Sequence, residues 1–194
     1  MNIAEDYTKE KRTIDIVWAN IFGIIMLVPI LVLFGLPYYL IWQPDISLSG
    51  FFNNFVEAGA IFAKVFVLML LGIVAHELIH GITWAFYAKR GFRSIRFGIL
   101  WKLLTPYCHC KEPLKVKHYI SGALMPALLL GVLPAILGIA MGSSGFLLFG
   151  MFFTMAGAGD FLVVNLIRKE PKDAYVEDHP SEAGFFIYRA KRAV

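Results

Sequence analysis

His76-Glu77-Leu78-Ile79-His80 sets two imidazoles four residues apart, with a carboxylate next to the first. On a helix that spacing puts both rings on one face, one turn apart, where they can share a single Zn²⁺. The glutamate then stands beside the metal, placed to act as general base on a bound water. The motif lies inside a long apolar run, residues 61–87. Ionisable groups in such a run are costly to bury and usually serve function. The competing reading is a polar cluster that only joins buried helices.

A catalytic zinc normally takes three protein ligands and leaves one position for water. A third His six residues beyond the second is absent, because that position is Phe86 and Thr83 stands where its companion Gly would be. The later apolar runs hold one acidic residue, Asp160, preceded by Ala156-Gly157-Ala158-Gly159. His80 falls nine residues before Lys89 and Asp160 eight before Arg168. At 1.5 Å per residue, both lie about 12–13 Å from the basic end of their helices. Aspartate is short, and the four small residues before it are expected to let its helix approach the His helix closely. His76, His80 and Asp160 are therefore the expected metal ligands, and Glu77 the expected base. For Asp160 the alternative is a packing hydrogen bond, to Asn20 or Thr83.

Four apolar runs must carry these residues: about 16–42, 61–87, 119–141 and 145–167. Each is long enough to cross hydrocarbon. Trp18 and Trp42 near the ends of the first suit a membrane interface. Pro29 and Pro37 predict kinks there, and Pro126 and Pro134 bends in the third. Lys64 is near enough to a helix end to snorkel. Residues 43–59 read as a short polar or interfacial connection. Part of the basic segment 89–118 alternates in hydropathy (Ser94 to Ile99, then Leu103 to Cys110), a pattern compatible with a short β-hairpin.

Three Lys/Arg precede the first run, none lies between residues 43 and 63, eight lie in 89–118, and six in 168–194. The positive-inside rule then puts both termini and the basic loop in the cytoplasm. The fold expected is an all-α membrane protein: one polytopic domain over 1–194, four transmembrane helices, a basic cytoplasmic loop at 89–118 and a cytoplasmic tail at 168–194. With 58% hydrophobic and 16% charged residues and a mean hydropathy of +0.67, the chain is too apolar for an ordinary soluble domain. Its net charge of +4 sits beside the apolar runs, which favours lipid headgroups over nucleic acid. The first run is too long for a signal peptide and ends in no small-residue cleavage site, so it reads as a retained anchor.

The remaining polar residues receive plainer readings. Cys108 and Cys110, one residue apart, predict no disulfide framework; with His109 they are a secondary candidate for soft metal ligands. Asn165 reads as a helix contact, His118 and His179 as interface or tail residues, and Asp178-His179-Pro180 as a locally hydrogen-bonded turn.

His76-Glu77-Leu78-Ile79-His80 on one span, one span intervening, then Gly159-Asp160 resembles the three-helix core of site-2 proteases. The chain resembles the small bacterial zincin-type peptidases of the membrane more closely. That likeness extends through Tyr107-Cys108-His109-Cys110-Lys111-Glu112-Pro113, Met125-Pro126 and Asp178-His179-Pro180. It implies zinc bound by His76, His80 and Asp160, water activated by Glu77, and residence in a bacterial plasma membrane. Phe161 follows Asp160 where site-2 proteases carry Gly, and Gly122 with Pro126 only faintly echoes their Gly-Pro-x-x-Asn element.

The expected function is an intramembrane zinc metalloprotease. It would hydrolyse peptide bonds of membrane-protein or peptide substrates with a Glu-activated, zinc-bound water. The alternatives are a non-proteolytic zinc-binding membrane protein, structural or regulatory, and a metal transporter. Against the transporter stands the absence of any internal repeat.

Overall fold

A computed structural model describes residues 7–44, 55–101, 105–179 and 184–191. Most of the expected connection at 43–59 lies outside them, as does Pro180. The chain opens with strand β1 (Tyr7–Thr13) and helix α1 (Ile16–Ile30), which Asp15 caps by accepting the Trp18 N–H at 3.0 Å. A wide turn of π-helix at Leu31–Gly35 leads into α2 (Leu36–Trp42), which ends at Gln43 in the left-handed conformation.

Helix α3 (Phe55–Tyr87) is unbroken over 33 residues. A short 3₁₀ turn at Gly91–Ser94 leads to β2 (Ile95–Leu100), β3 (Thr105–Cys110) and the two-residue β4 (Leu114–Lys115). Helix α4 (Val116–Pro126), a second π segment (Ala127–Val132) and α5 (Leu133–Met141) follow. Helices α6 (Ser144–Ala156) and α7 (Ala158–Ile167), then strands β5 (Tyr175–Asp178) and β6 (Gly184–Ala190), complete the chain.

Pro29 and Pro126 lie within α1 and α4, whereas Pro37 and Pro134 each follow a π segment. Pro37 and Pro134 each lack an N–H and press on the carbonyl four residues back, that of Leu33 or Leu130. Both carbonyls lie in the π segments, where the wider turn absorbs the missing bond. The last run is not the straight helix expected over 145–167. It bends by 44° between α6 and α7, at Gly157, in the small-residue stretch least able to hold a helix straight.

Three stretches are long and apolar enough to cross a membrane: Val17–Trp42, Ile61–Tyr87 and Val116–Met141. The bent pair α6–α7 makes a fourth if it counts as one span. Glycines set the close contacts among them. Gly131 lies against Thr154, Gly138 against Leu147, and Gly150 against Ala135, so α5 and the π turn before it meet α6 almost backbone to backbone.

The description as all-α needs correction. Besides the hairpin of β2 and β3, whose pattern was legible, the chain forms a four-stranded antiparallel sheet in the order β1-β6-β5-β4. Strand β1 pairs with β6 from Tyr7↔Ala190 to Thr13↔Gly184, so the expected polar tail is a structural element. Along it Phe185 and Ile187 alternate inward and are fully buried with Val176. They join Ile95, Cys110, Leu114, Val116, Tyr119 and Ile167 in one core beneath the helix ends. Strand β1 leads into α1, β4 into α4, and α7 into β5, so the sheet gathers three helix ends on one side. Arg12 ties it to α7 by donating to the Leu166 carbonyl (2.9 Å) and to Glu170 (3.0 Å). Arg189 pairs with Glu170 and Glu10.

Candidate metal centre

Positions 76, 80 and 84 share a face of α3, and all three side chains are buried there. The His76 and His80 rings lie edge to face with centroids 4.9 Å apart. From the first turn of α7, Asp160 reaches both: Oδ2 is 3.3 Å from His76 Nε2 and Oδ1 is 3.4 Å from His80 Nε2. The candidate ligand atoms all lie within 4.8 Å of one another. These three residues, which the sequence singles out from two separate helices, are thus brought together.

The spacing suits an ion better than direct bonding. A charge-assisted N–H···O bond closes to about 2.7–2.9 Å. Four donors held tetrahedrally at zinc distances of 2.0–2.1 Å stand about 3.3 Å from one another. Two imidazoles and one carboxylate are also a donor set zinc accepts, and a fourth position stays open for water. His76 Nδ1 is buried with no hydrogen-bond partner among the described residues, so on that side the ring is held by packing, and its only polar contact is the one from Nε2 to Asp160. The residues present fit the ion.

His80 is held more firmly. Its Nδ1 lies 2.9 Å from the Gly122 carbonyl, which can only accept, so Nδ1 carries the proton and Nε2 presents its lone pair to Asp160's side. Trp84 stacks on His80 (5.0 Å) and on Tyr119 (5.1 Å), and its indole N–H donates to the Tyr119 carbonyl at 3.1 Å. Gly122 has to be glycine, because the Trp84 indole fills the space a Cβ would take. Trp84 shares the i, i+4, i+8 row with the two histidines and could have been found from that period; Tyr119 and the Gly122 carbonyl carry no such mark.

Glu77 is half-buried beside the pair, and the backbone amide of Cys108 approaches its carboxylate. The hairpin comes this close because Gly81 leaves room for Phe97 and Ile95 against α3. One expectation fails here. The small residues before Asp160 do not serve an approach to α3: Gly157 lies against Ala127 on the neighbouring helix, and a side chain at Gly159 would meet nothing. Asp160 spans the gap because the bend at Gly157 points the start of α7 at the histidines.

The secondary candidates stay elsewhere. Thr83 donates to the Ile79 carbonyl at 2.7 Å, and Asn165 accepts from Arg168 at 2.9 Å. His118 stacks on Tyr87 and His179 lies by Phe186. Cys108 and Cys110 are free thiols on the strand face opposite His109, and burial pushes the Cys110 thiol up to about 11 and that of Cys108 higher still. Asp178 does not form a local turn. It ends β5 and accepts the Cys110 N–H at 2.8 Å and the Tyr119 hydroxyl, a long-range clamp on hairpin and helix.

Residues 69–175 match a family described as "Putative zincin peptidase". The chain belongs to that family. The matched stretch runs from within α3 to the first residue of β5, so it holds His76, Glu77, His80 and Asp160 but neither β1 nor β6. No curated protein and no solved structure matches the chain. Zincin membership implies zinc and the metallopeptidase class.

Proposed function

We propose that this zincin family member is an intramembrane zinc metallopeptidase, with zinc held by His76, His80 and Asp160. The observation that carries the reading is the meeting of three ligand atoms from α3 and α7 at metal spacing, with Glu77 adjoining them. Membrane residence is supported by the three long apolar helices and by the side chains they turn outward, such as Leu71 (61% exposed), Phe62 (72%) and Phe86 (83%). The sheet gathers helix ends on the side where Lys and Arg cluster, which supports cytoplasmic termini.

Zinc there would lower the pKa of a coordinated water to about 7 and polarise a carbonyl. Glu77 accepts the proton of the attacking water and returns it to the departing peptide nitrogen. The Gly122 carbonyl and the Trp84 ring hold His80 in its ligating tautomer, and Asp160 balances the charge. The scissile segment enters extended, since a helix hides its carbonyls, and the free edge of the β2–β3 hairpin offers it a strand to pair with.

Metal analysis of the purified protein tests the site. Stoichiometric zinc is expected in the wild type and in Glu77→Gln, and its loss in His80→Ala and Asp160→Ala. Cleavage of a membrane substrate should fall about 10²–10⁴-fold in Glu77→Gln. Full zinc in Asp160→Ala would remove that residue from the ligand set, and normal turnover by Glu77→Gln would remove the base.

A further inference from the structure

Hydrolysis leaves the stretch Tyr107 to Lys111 and the end of β5 without a chemical task. Both line one cleft of about 370 Å³ between the hairpin and the four-stranded sheet. Along β3 the side chains alternate: Cys108 turns toward Glu77, while Tyr107 and His109 face the cleft. The cleft therefore backs onto the strand that approaches the proposed base.

Each of its two carboxylates already accepts a hydrogen bond. Both Asp178 oxygens are taken by the Cys110 N–H and the Tyr119 hydroxyl, and Glu177 Oε2 accepts the Tyr188 hydroxyl at 2.5 Å. His109 Nδ1 stands 3.9 Å from Asp178, at the limit of an ion pair. Arg96 and Lys111 have no acidic partner among the described residues, and the Lys9 ammonium rests 3.7 Å from the centroid of the Phe186 ring. Three cations, from β1, β2 and just past β3, thus face one space with two carboxylates, an excess of positive charge.

We propose that this cleft binds a phosphate group, carried by a lipid headgroup or by a soluble phosphate ester. A guanidinium fork, two ammonium groups and the Tyr107 hydroxyl approach from two sheets, which suits a tetrahedral anion with several acceptor oxygens better than a planar carboxylate with two. A bound phosphate bridges the hairpin to the sheet, two elements otherwise joined by their shared apolar core and by Asp178. The proposal does not depend on peptide hydrolysis.

The test is thermal stability of the purified full chain with two probes: glycerol phosphate in detergent, and phosphatidylglycerol against a phosphate-free galactosyl diacylglycerol in nanodiscs. A rise in Tm with glycerol phosphate identifies a soluble ester as sufficient; a rise with phosphatidylglycerol alone identifies the headgroup. Either supports the proposal if Arg96→Gln/Lys111→Gln weakens the response at least about tenfold in probe concentration. Both residues are exposed, so the variant should fold, and zinc content measured alongside keeps the result separate from the metal site. Lys117→Gln, which removes an exposed cation outside the cleft, should respond as the wild type does. No response to either probe, an undiminished response in the double variant, or an equal loss in Lys117→Gln would overturn the proposal.

Discussion

At the residue scale, the site rests on a backbone carbonyl as much as on its side chains. The two histidines and Glu77 are legible because a helix repeats every 3.6 residues. Asp160 is legible because it is the one acid in the later apolar runs. Gly122 is a different case. Its contribution to the ligand sphere is a C=O, which every residue has, and its need for glycine comes from an indole 38 positions away in sequence. Gly122→Ala should therefore drive Trp84 off His80 and shift the carbonyl that orients it. Zinc affinity should fall about 10–100-fold, as for loss of a partner that orients a ligand, measured by competition with a chelator. Unchanged affinity would mean that the carbonyl does not set the tautomer.

At the scale of elements, the hairpin was readable as alternation, but what fastens it was not. Asp178 sits 68 residues from Cys110 and 59 from Tyr119, distances over which sequence pattern carries no contact information. Burial raises the pKa of Asp178 in spite of its two donors. A raised carboxyl adds stability that is complete below its unfolded value, about 3.9, and is lost as pH climbs through the folded value. Asp178→Asn stays neutral throughout. The Tm difference between wild type and this variant should thus drift against the wild type as pH rises from about 4, read by thermal melts across the acid range. A parallel pair of curves would show that the Asp178 carboxyl has the same pKa folded and unfolded. The bend at Gly157 was equally hidden. A run of small residues predicts close packing, and it gave both packing against Ala127 and a change of helix direction.

At the scale of the whole molecule, the apolar runs were legible because lipid-length stretches need no tertiary context to be recognised. The four-stranded sheet was not. Its outer pair joins Tyr7 to Ala190, and the tail that supplies β6 alternates over only a few residues amid charges. Glu10, lowered by hydrogen bonds from Arg12 and then Arg189, and Glu170, lowered by those from Arg189, help hold that pairing. Their contribution is present above the unfolded glutamate value, about 4.3, and is lost as pH falls through the depressed ones. Backbone amides of β1 should lose protection from deuterium exchange, taken relative to the intrinsic exchange rate at each pH, below about pH 4, and should be less protected at neutral pH in Glu170→Gln. Equal protection in wild type and variant would discount the network. Truncation before residue 184 should leave the helices intact by circular dichroism yet expose β1 in the same assay.

The pairing of β1 with β6 also bears on how the chain comes into being. During synthesis the first strand emerges long before its neighbour, so every helix can form while the sheet edge still waits. β5, with Asp178, completes its pairing only when β6 leaves the ribosome. On the proposed function, a chain assembled in this order would withhold a fully braced hairpin from the nascent protein, and with it the means to cut prematurely.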